Sequence, residues 1–194
     1  MDPASLTDAG LMLAARKLSP EGVCAELIAL SVVEFSYTPS LKITVELGSR
    51  GGMISDTGRG MRLTPDGGDT LSHAERALTT VYPCLPAGPE IECILRELVW
   101  GRRGSLGPAL ANAACPFFRF ESRRDGEAWS QEYRYGRPIG APARLGPAGA
   151  SGTVITFETS GPIDHEAVSN LVDELRARVP RLNVSEESRF RPFH

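Results

Sequence analysis

Cysteine and histidine are scarce in this chain. Cys24, Cys84, Cys93 and Cys115 form no C-x-x-C pair, and His73, His165 and His194 complete no zinc-type spacing. Neither a disulfide framework nor a metal site can be read from them, and all 4 cysteines are expected to be buried thiols, with Cys24 on the apolar face of the first long helix. Long apolar runs are also missing. None approaches the ~20 residues of a membrane span, and the first residues lack a signal-peptide pattern, so a cytoplasmic protein without membrane contact is expected. Basic residues are not in excess: 21 Lys and Arg face 24 Asp and Glu, for a net charge of -3. Direct nucleic-acid binding is therefore not expected, because phosphate contacts need concentrated Lys and Arg. Repeats and low-complexity tracts are absent. What is present is 194 residues, 41% hydrophobic and 23% charged, which reads as one domain over 1–194 with a core large enough to fold unaided.

Hydrophobic periodicity divides the chain into elements. Residues 1–18 are read as an irregular N-terminal segment. Ser19 and Pro20 look like the cap and first residue of a helix running to about Phe35. Leu41, Ile43, Val45 and Leu47 alternate with Lys42, Thr44 and Glu46, a half-buried strand, and Ser49-Arg50-Gly51-Gly52 turns it into a second strand that ends near Ser55. A helix is expected over Leu71 to Tyr82. Pro83, Pro86 and Pro89 then break the chain before an apolar helical stretch, Ile91 to Trp100. A hairpin follows over 116–122 and 127–135 around Arg124-Asp125-Gly126. Trp129, Gln131, Tyr133 and Tyr135 fall on one of its faces as core packing. Residues 152–158 form another strand. Ile163, Ala167, Leu171, Leu175 and Val179 mark a last amphipathic helix, and 185–194 are read as a tail. The sum is an α+β fold, a two-layer sandwich with a mixed sheet and helices on one face.

The stretch with most chemistry is Ile54-Ser55-Asp56-Thr57-Gly58-Arg59-Gly60-Met61. Here a strand delivers one carboxylate to the mouth of a glycine-rich loop. Asp56 can accept a hydrogen bond from an exocyclic amine, while Gly58 and Gly60 lack the Cβ that would keep a flat ring off the backbone. Taken alone, Asp-x-Gly-x-Gly is equally the signature of a turn.

In order and kind, these elements resemble the ATPase domain of the gyrase B subunit and its topoisomerase relatives, within the GHKL superfamily that includes the sensor histidine kinases. The resemblance covers roughly residues 10 to 190. Its clearest parts are the Asp56 box, the hairpin from Arg124 to Pro138, and Gly152-Thr153-Val154-Ile155-Thr156-Phe157; the tail from Leu175 to Asn183 is a weaker match. It implies the GHKL (Bergerat-type) ATPase fold, a lid-like region over 83–107, and a nucleotide pocket in which Asp56, Gly58, Gly60, Met61 and Thr153 meet the base. Glu26 falls on the family's catalytic Glu, and Glu34 on a second acidic position of the motif.

The departures from the family pattern bear on function. Leu30 stands where the family's Asn holds Mg²⁺ against the phosphates, and an isobutyl group offers no oxygen to a hard cation. Ala29 and Val33 likewise replace acidic residues. The family's Gly-Gly-Leu-His-Gly-Val-Gly lid motif appears as Gly101-Arg102-Arg103-Gly104-Ser105-Leu106-Gly107. Arg102 and Arg103 are then either solvated arginines on a loop or counter-charge for a phosphate or carboxylate in place of the lost metal.

Three readings of function stay open. In the first, a degenerate, free-standing domain binds a nucleotide or another small heterocycle without Mg²⁺-dependent hydrolysis, and no cofactor or metal is required. In the second, the pocket serves an enzyme of small-molecule, secondary-metabolite biosynthesis, with Glu26 and Asp56 as acid and base. Its apolar neighbours would raise the Glu26 pKa, although Glu26 reads equally as a solvated helix residue. In the third, the domain is an interaction protein, paired with itself as a homodimer or with a topoisomerase. The family's N-terminal arm motif and the following domain with its phosphate-sensing Lys are not recognised, so full ATP-driven gating is not expected.

Overall fold

The computed structural model describes residues 8–65, 67–68, 70–81, 87–101 and 107–187. An eight-stranded sheet runs in the order β5-β4-β3-β7-β2-β1-β8, with β6 also on the outer edge of β4. The strands are β1 (Lys42–Gly48), β2 (Gly51–Asp56), β3 (Phe117–Arg124), β4 (Glu127–Arg134), β5 (Arg137–Pro138), β6 (Ala143–Pro147), β7 (Gly152–Glu158) and β8 (Asn183–Glu187). All pairings are antiparallel except β1 with β8. The helices are α1 (Asp8–Ala15), α2 (Pro20–Glu34), α3 (His73–Thr79), α4 (Pro89–Leu95), α5 (Pro108–Ala114) and α6 (His165–Arg178). The result is the expected α+β sandwich with a mixed sheet. No helix among the described residues is long and apolar enough to cross a membrane.

Helix α2 organises the helical layer. Ser19 caps it by accepting from the Gly22 amide at 3.2 Å, with Pro20 in the first turn. It is buried on nearly every side from Val23 to Val33, and it touches β1, β2, α4, α5 and α6. A helix surrounded in this way needs apolar residues all round rather than along one stripe. Glu26 and Ser31 are the polar exceptions within that buried run.

The sheet meets α2 through rows of side chains that cross the strands. Phe120, Ile155, Ile54 and Val45 are direct neighbours across β3, β7, β2 and β1, and all are buried. The adjacent row is polar: Ser122, Thr153 and Asp56 stand side by side on the same three central strands. On the opposite face charge replaces apolar contact, with Arg119 paired to Glu121 at 2.9 Å.

Several expectations are corrected. Residues 8–15 are helical, with Leu11 and Ala15 packed on Ala109, Leu110 and Ala113 of α5, so 1–18 is not irregular throughout. Helix α3 is shorter than Leu71 to Tyr82: Ser72 caps it through the Glu75 amide, and the hydroxyls of Thr79 and Thr80 turn back onto the carbonyls of Glu75 and Arg76. Residues Arg96–Trp100, expected to continue a regular helix, form a π-helical turn. Residues 183–187, partly assigned to a tail, form β8 beside β1. In α6 the buried stripe is Val168, Val172 and Leu175, while Ala167 is exposed, because the Asp164 cap fixes a different phase. In the hairpin Tyr133 and Gln131 are buried as expected, but Tyr135 lies beyond the strand and is 49% exposed. Cys24 and Cys115 are buried, with burial pushing the Cys24 thiol up to about 12 and the Cys115 thiol also upward, whereas Cys93 is exposed. Cys84 lies outside the described residues, as do the rest of 83–86 and 102–106 of the 83–107 lid-like region.

Phe120 sits fully buried at the β3 end of the apolar row. Phe120→Ala is expected to lower stability by roughly 3–5 kcal/mol, the range for truncating a buried aromatic, as measured by urea unfolding. A loss below ~1 kcal/mol would show that the row is not the centre of the core.

Candidate functional site

The polar row lies beside α2 and the loop that follows β2. Asp56 ends β2, and antiparallel pairing sets Thr153 of β7 directly beside it. The Thr153 hydroxyl donates to Asp56 Oδ2, and the Ser31 hydroxyl donates to the same oxygen from α2 at 3.1 Å. The Gly58 amide donates to Oδ1 at 2.8 Å. A carboxylate offers about four acceptor positions, so three donors leave Oδ1 with capacity for one more. Asp56 is only 5% exposed. Burial pushes its pKa up, and the neighbouring charge of Glu34 adds to this, against the opposing hydrogen bonds from Thr153, Gly58 and Ser31.

The glycine loop is fixed from two sides. Glu34, at the end of α2, accepts from the Arg59 amide at 2.9 Å, Nε at 2.8 Å and Nη2 at 3.0 Å. The Arg59 guanidinium also lies 4.0 Å over the Tyr37 ring. Burial raises the Glu34 pKa, but the hydrogen bonds and charge of Arg59, with a hydrogen bond from Thr38, outweigh it and hold the carboxyl below its ordinary value. From the sheet side, Ser122 Oγ accepts from the Met61 amide at 2.8 Å and Arg124 donates to the Gly60 carbonyl at 3.0 Å.

This geometry gives the glycines a reason other than the one expected. A Cβ on Gly58 would lie 2.4 Å from Glu34 Cγ, and one on Gly60 would lie 2.6 Å from the Arg123 carbonyl oxygen. Gly60 has φ +69°, where only glycine is unstrained. Both glycines therefore let the loop close on α2 and β3.

Of the residues singled out in the sequence, Asp56, Gly58, Gly60, Met61 and Thr153 come together here. Glu26 lies on α2 more than a helical turn before Ser31, and at 3% exposure it is not a solvated helix residue. Ala29, Leu30 and Val33, three, four and seven residues further along α2, are buried in the main apolar cluster. Leu30 presents no oxygen where the family resemblance puts a Mg²⁺ ligand. Among the described residues no three His, Cys, Asp or Glu side chains cluster as a metal site. Arg102 and Arg103 lie outside the described residues. Sequence reasoning misses Ser31, Arg59, Ser122 and Arg124. Ser31 carries a signal, as a hydroxyl inside an otherwise apolar helical run; the others are ordinary polar residues until the fold brings them together.

No protein-family model matches the chain. Among curated proteins it is similar to the DNA gyrase B subunit of Thermotoga maritima, at 26% identity over 144 residues that make up 70% of this chain and 22% of that protein. The chain thus spans under a quarter of that relative's length. Among solved structures it is similar to the topoisomerase IV ATP-binding domain of Francisella tularensis, determined with a small-molecule inhibitor. That likeness has a TM-score of 0.68 at 20% identity and covers 87% of this chain and 81% of the other. With its mixed sheet and, among the described residues, six α-helices, the chain has the fold of that topoisomerase IV ATP-binding domain, the GHKL ATPase fold.

Proposed function

We propose that this domain binds a nucleotide or another small heterocycle in the cleft between α2, the Asp56 loop and the start of β7, without Mg²⁺-dependent ATP hydrolysis. The observation that carries the reading is Asp56 itself: a buried carboxylate held in place by three donors, with acceptor capacity left for an N–H donor. The likeness to an ATP-binding domain that accepts a small molecule supports the same placement. Leu30 supports the second half of the proposal, since it offers the metal no oxygen at the position where the family resemblance puts its ligand. Arg102 and Arg103 are then assigned to counter the charge of a phosphate or carboxylate.

A second reading rests on Glu26. It is a buried carboxyl on the helical face that also carries Ala29, Leu30 and Val33, a candidate acid or base for an enzyme of small-molecule biosynthesis with Asp56 as partner. On that reading Glu26→Gln folds and binds but loses turnover of the true substrate by roughly 10² or more, the scale of a general acid or base. Full activity in Glu26→Gln would assign Glu26 a structural role only.

ATP turnover by the purified protein is expected to stay at background with or without Mg²⁺, as measured by phosphate release. Mg²⁺-dependent turnover that disappears in Glu26→Ala would overturn the proposal. Asp56→Ala should weaken ligand binding by roughly 1–3 kcal/mol, the range for removing a charged hydrogen-bond partner; equal affinity in calorimetry would move the ligand elsewhere.

The upward shift of Asp56 also sets a pH dependence. Only the ionised carboxylate accepts at both oxygens, so affinity for an N–H donor should fall on acidification. The fall should begin at a higher pH than for an ordinary Asp, because burial favours protonation. Affinity that holds until the ordinary Asp range is reached would contradict this.

A further inference from the structure

A second concave site lies at the other end of the sheet. Thr153 is the second residue of β7 and Thr159 follows its end, so a strand length of roughly 20 Å separates this site from Asp56. The cavity has a volume of about 610 Å³, within the range of small-molecule sites. Its floor is apolar, with Met12 and Ala15 of α1, Leu18, Val23 of α2 and Ala113 of α5. Arg16, Arg134 and Arg137 stand around it, and among the described residues no Asp or Glu lines it. All three arginines are exposed, and among the described residues none has a carboxylate partner, although the chain as a whole is acidic.

Tyr135 adds an independent observation. Arg134 pairs with Arg137 across β4 and β5, so Tyr135 and Gly136 form a two-residue hairpin turn with φ of 47° and 76°. Such turns favour Asn-Gly or Asp-Gly. The chain uses Asp125-Gly126 in the hairpin between β3 and β4, with φ of 54° and 79°. A bulky aromatic at the first position is strained there, and strain retained in a fold points to another role. The Tyr135 amide donates to the Cys115 carbonyl at 2.8 Å. Its side chain is half-exposed and lines both this cavity and a neighbouring one of about 710 Å³ that also contains Phe117.

We propose that this cavity is a binding site for a small amphipathic oxyanion, an apolar body carrying a carboxylate or phosphate. The body lies on the Met12, Leu18 and Val23 floor against Tyr135, and the anionic end meets Arg16, Arg134 and Arg137. Guanidinium suits this task because its planar fork of donors matches the geometry of carboxylate and phosphate. The apolar floor rejects simple inorganic ions, which gain nothing from it.

The test titrates the full chain with 2-naphthoate, 2-naphthyl phosphate and the neutral 2-naphthamide, following backbone amide resonances. Both anions should shift Ala114, Tyr135 and Ser160, and at least one should bind roughly tenfold or more tightly than the amide, as expected for charge-assisted hydrogen bonds. Which anion binds better identifies the head group. The exposed double variant R134Q/R137Q should lose that preference and keep its unfolding midpoint. Tyr135→Asn should raise the midpoint, by relieving the turn, while weakening naphthoate. Equal binding of naphthamide, an unchanged preference in R134Q/R137Q, or loss of naphthoate binding in Asp56→Ala would overturn the proposal.

Discussion

One buried carboxylate ties the parts of the molecule together. Asp56 joins α2 through Ser31, β7 through Thr153 and the glycine loop through Gly58. A buried charge is costly unless its acceptor positions are filled, so these three donors are needed whether or not a ligand is present. The remaining features of the cleft follow from that requirement. Gly58 must lack a side chain for its amide to reach Oδ1 past Glu34, and Glu34 in turn holds the loop through Arg59. Ser122 and Arg124 complete the fixation from β3. A site built in this way is largely formed before anything enters it, which reduces the ordering cost of binding.

The same helix that supplies Ser31 and Glu34 also divides the cleft in character. Toward its C-terminal end it presents polar groups to Asp56 and Arg59. Just before Ser31 it carries Ala29 and Leu30, which belong to the main apolar cluster, and Glu26 is buried earlier in the same run. A ligand that reached both regions would find a hydrogen-bond acceptor at one end and a hydrocarbon wall at the other. This contrast underlies the proposal that recognition of a ring persists while metal-assisted phosphoryl chemistry does not. It also explains why Glu26 is the residue on which the enzymatic alternative depends: no other carboxylate on α2 combines burial with apolar neighbours.

Much of this is legible in the sequence where the signal is local. The alternation from Lys42 to Leu47, the Ser19-Pro20 helix start, the Asp125-Gly126 turn and the strand at 152–158 each rest on residues that are close in the chain, and each is found. Asp56, Thr153 and the glycines are legible because they form short motifs. Ser31, Arg59, Ser122 and Arg124 are not, since their meaning depends on contacts between segments distant in sequence. Strand β8 escapes a local reading because it pairs in parallel with β1, which it reaches only after α6. The expected α6 stripe is one residue out of phase at Ala167, because Ile163 lies before the Asp164 cap rather than inside the helix. Gly58 and Gly60 stand out in the sequence, but packing against Glu34 and β3 supplies the reason for them, which no periodicity reveals.

The central claim is that Asp56 accepts a ligand N–H and that the metal has no part in holding it. Adenosine and inosine isolate that hydrogen bond, because adenosine carries an exocyclic amine donor where inosine carries a carbonyl acceptor. The most direct measurement is a titration of each, with and without Mg²⁺, followed at the Gly58 and Thr153 amide resonances. The expected result is a shift at both residues, adenosine binding tighter than inosine by roughly tenfold or more, and no change on adding Mg²⁺. Equal affinity for the two nucleosides, or shifts that bypass Gly58 and Thr153, would contradict the claim.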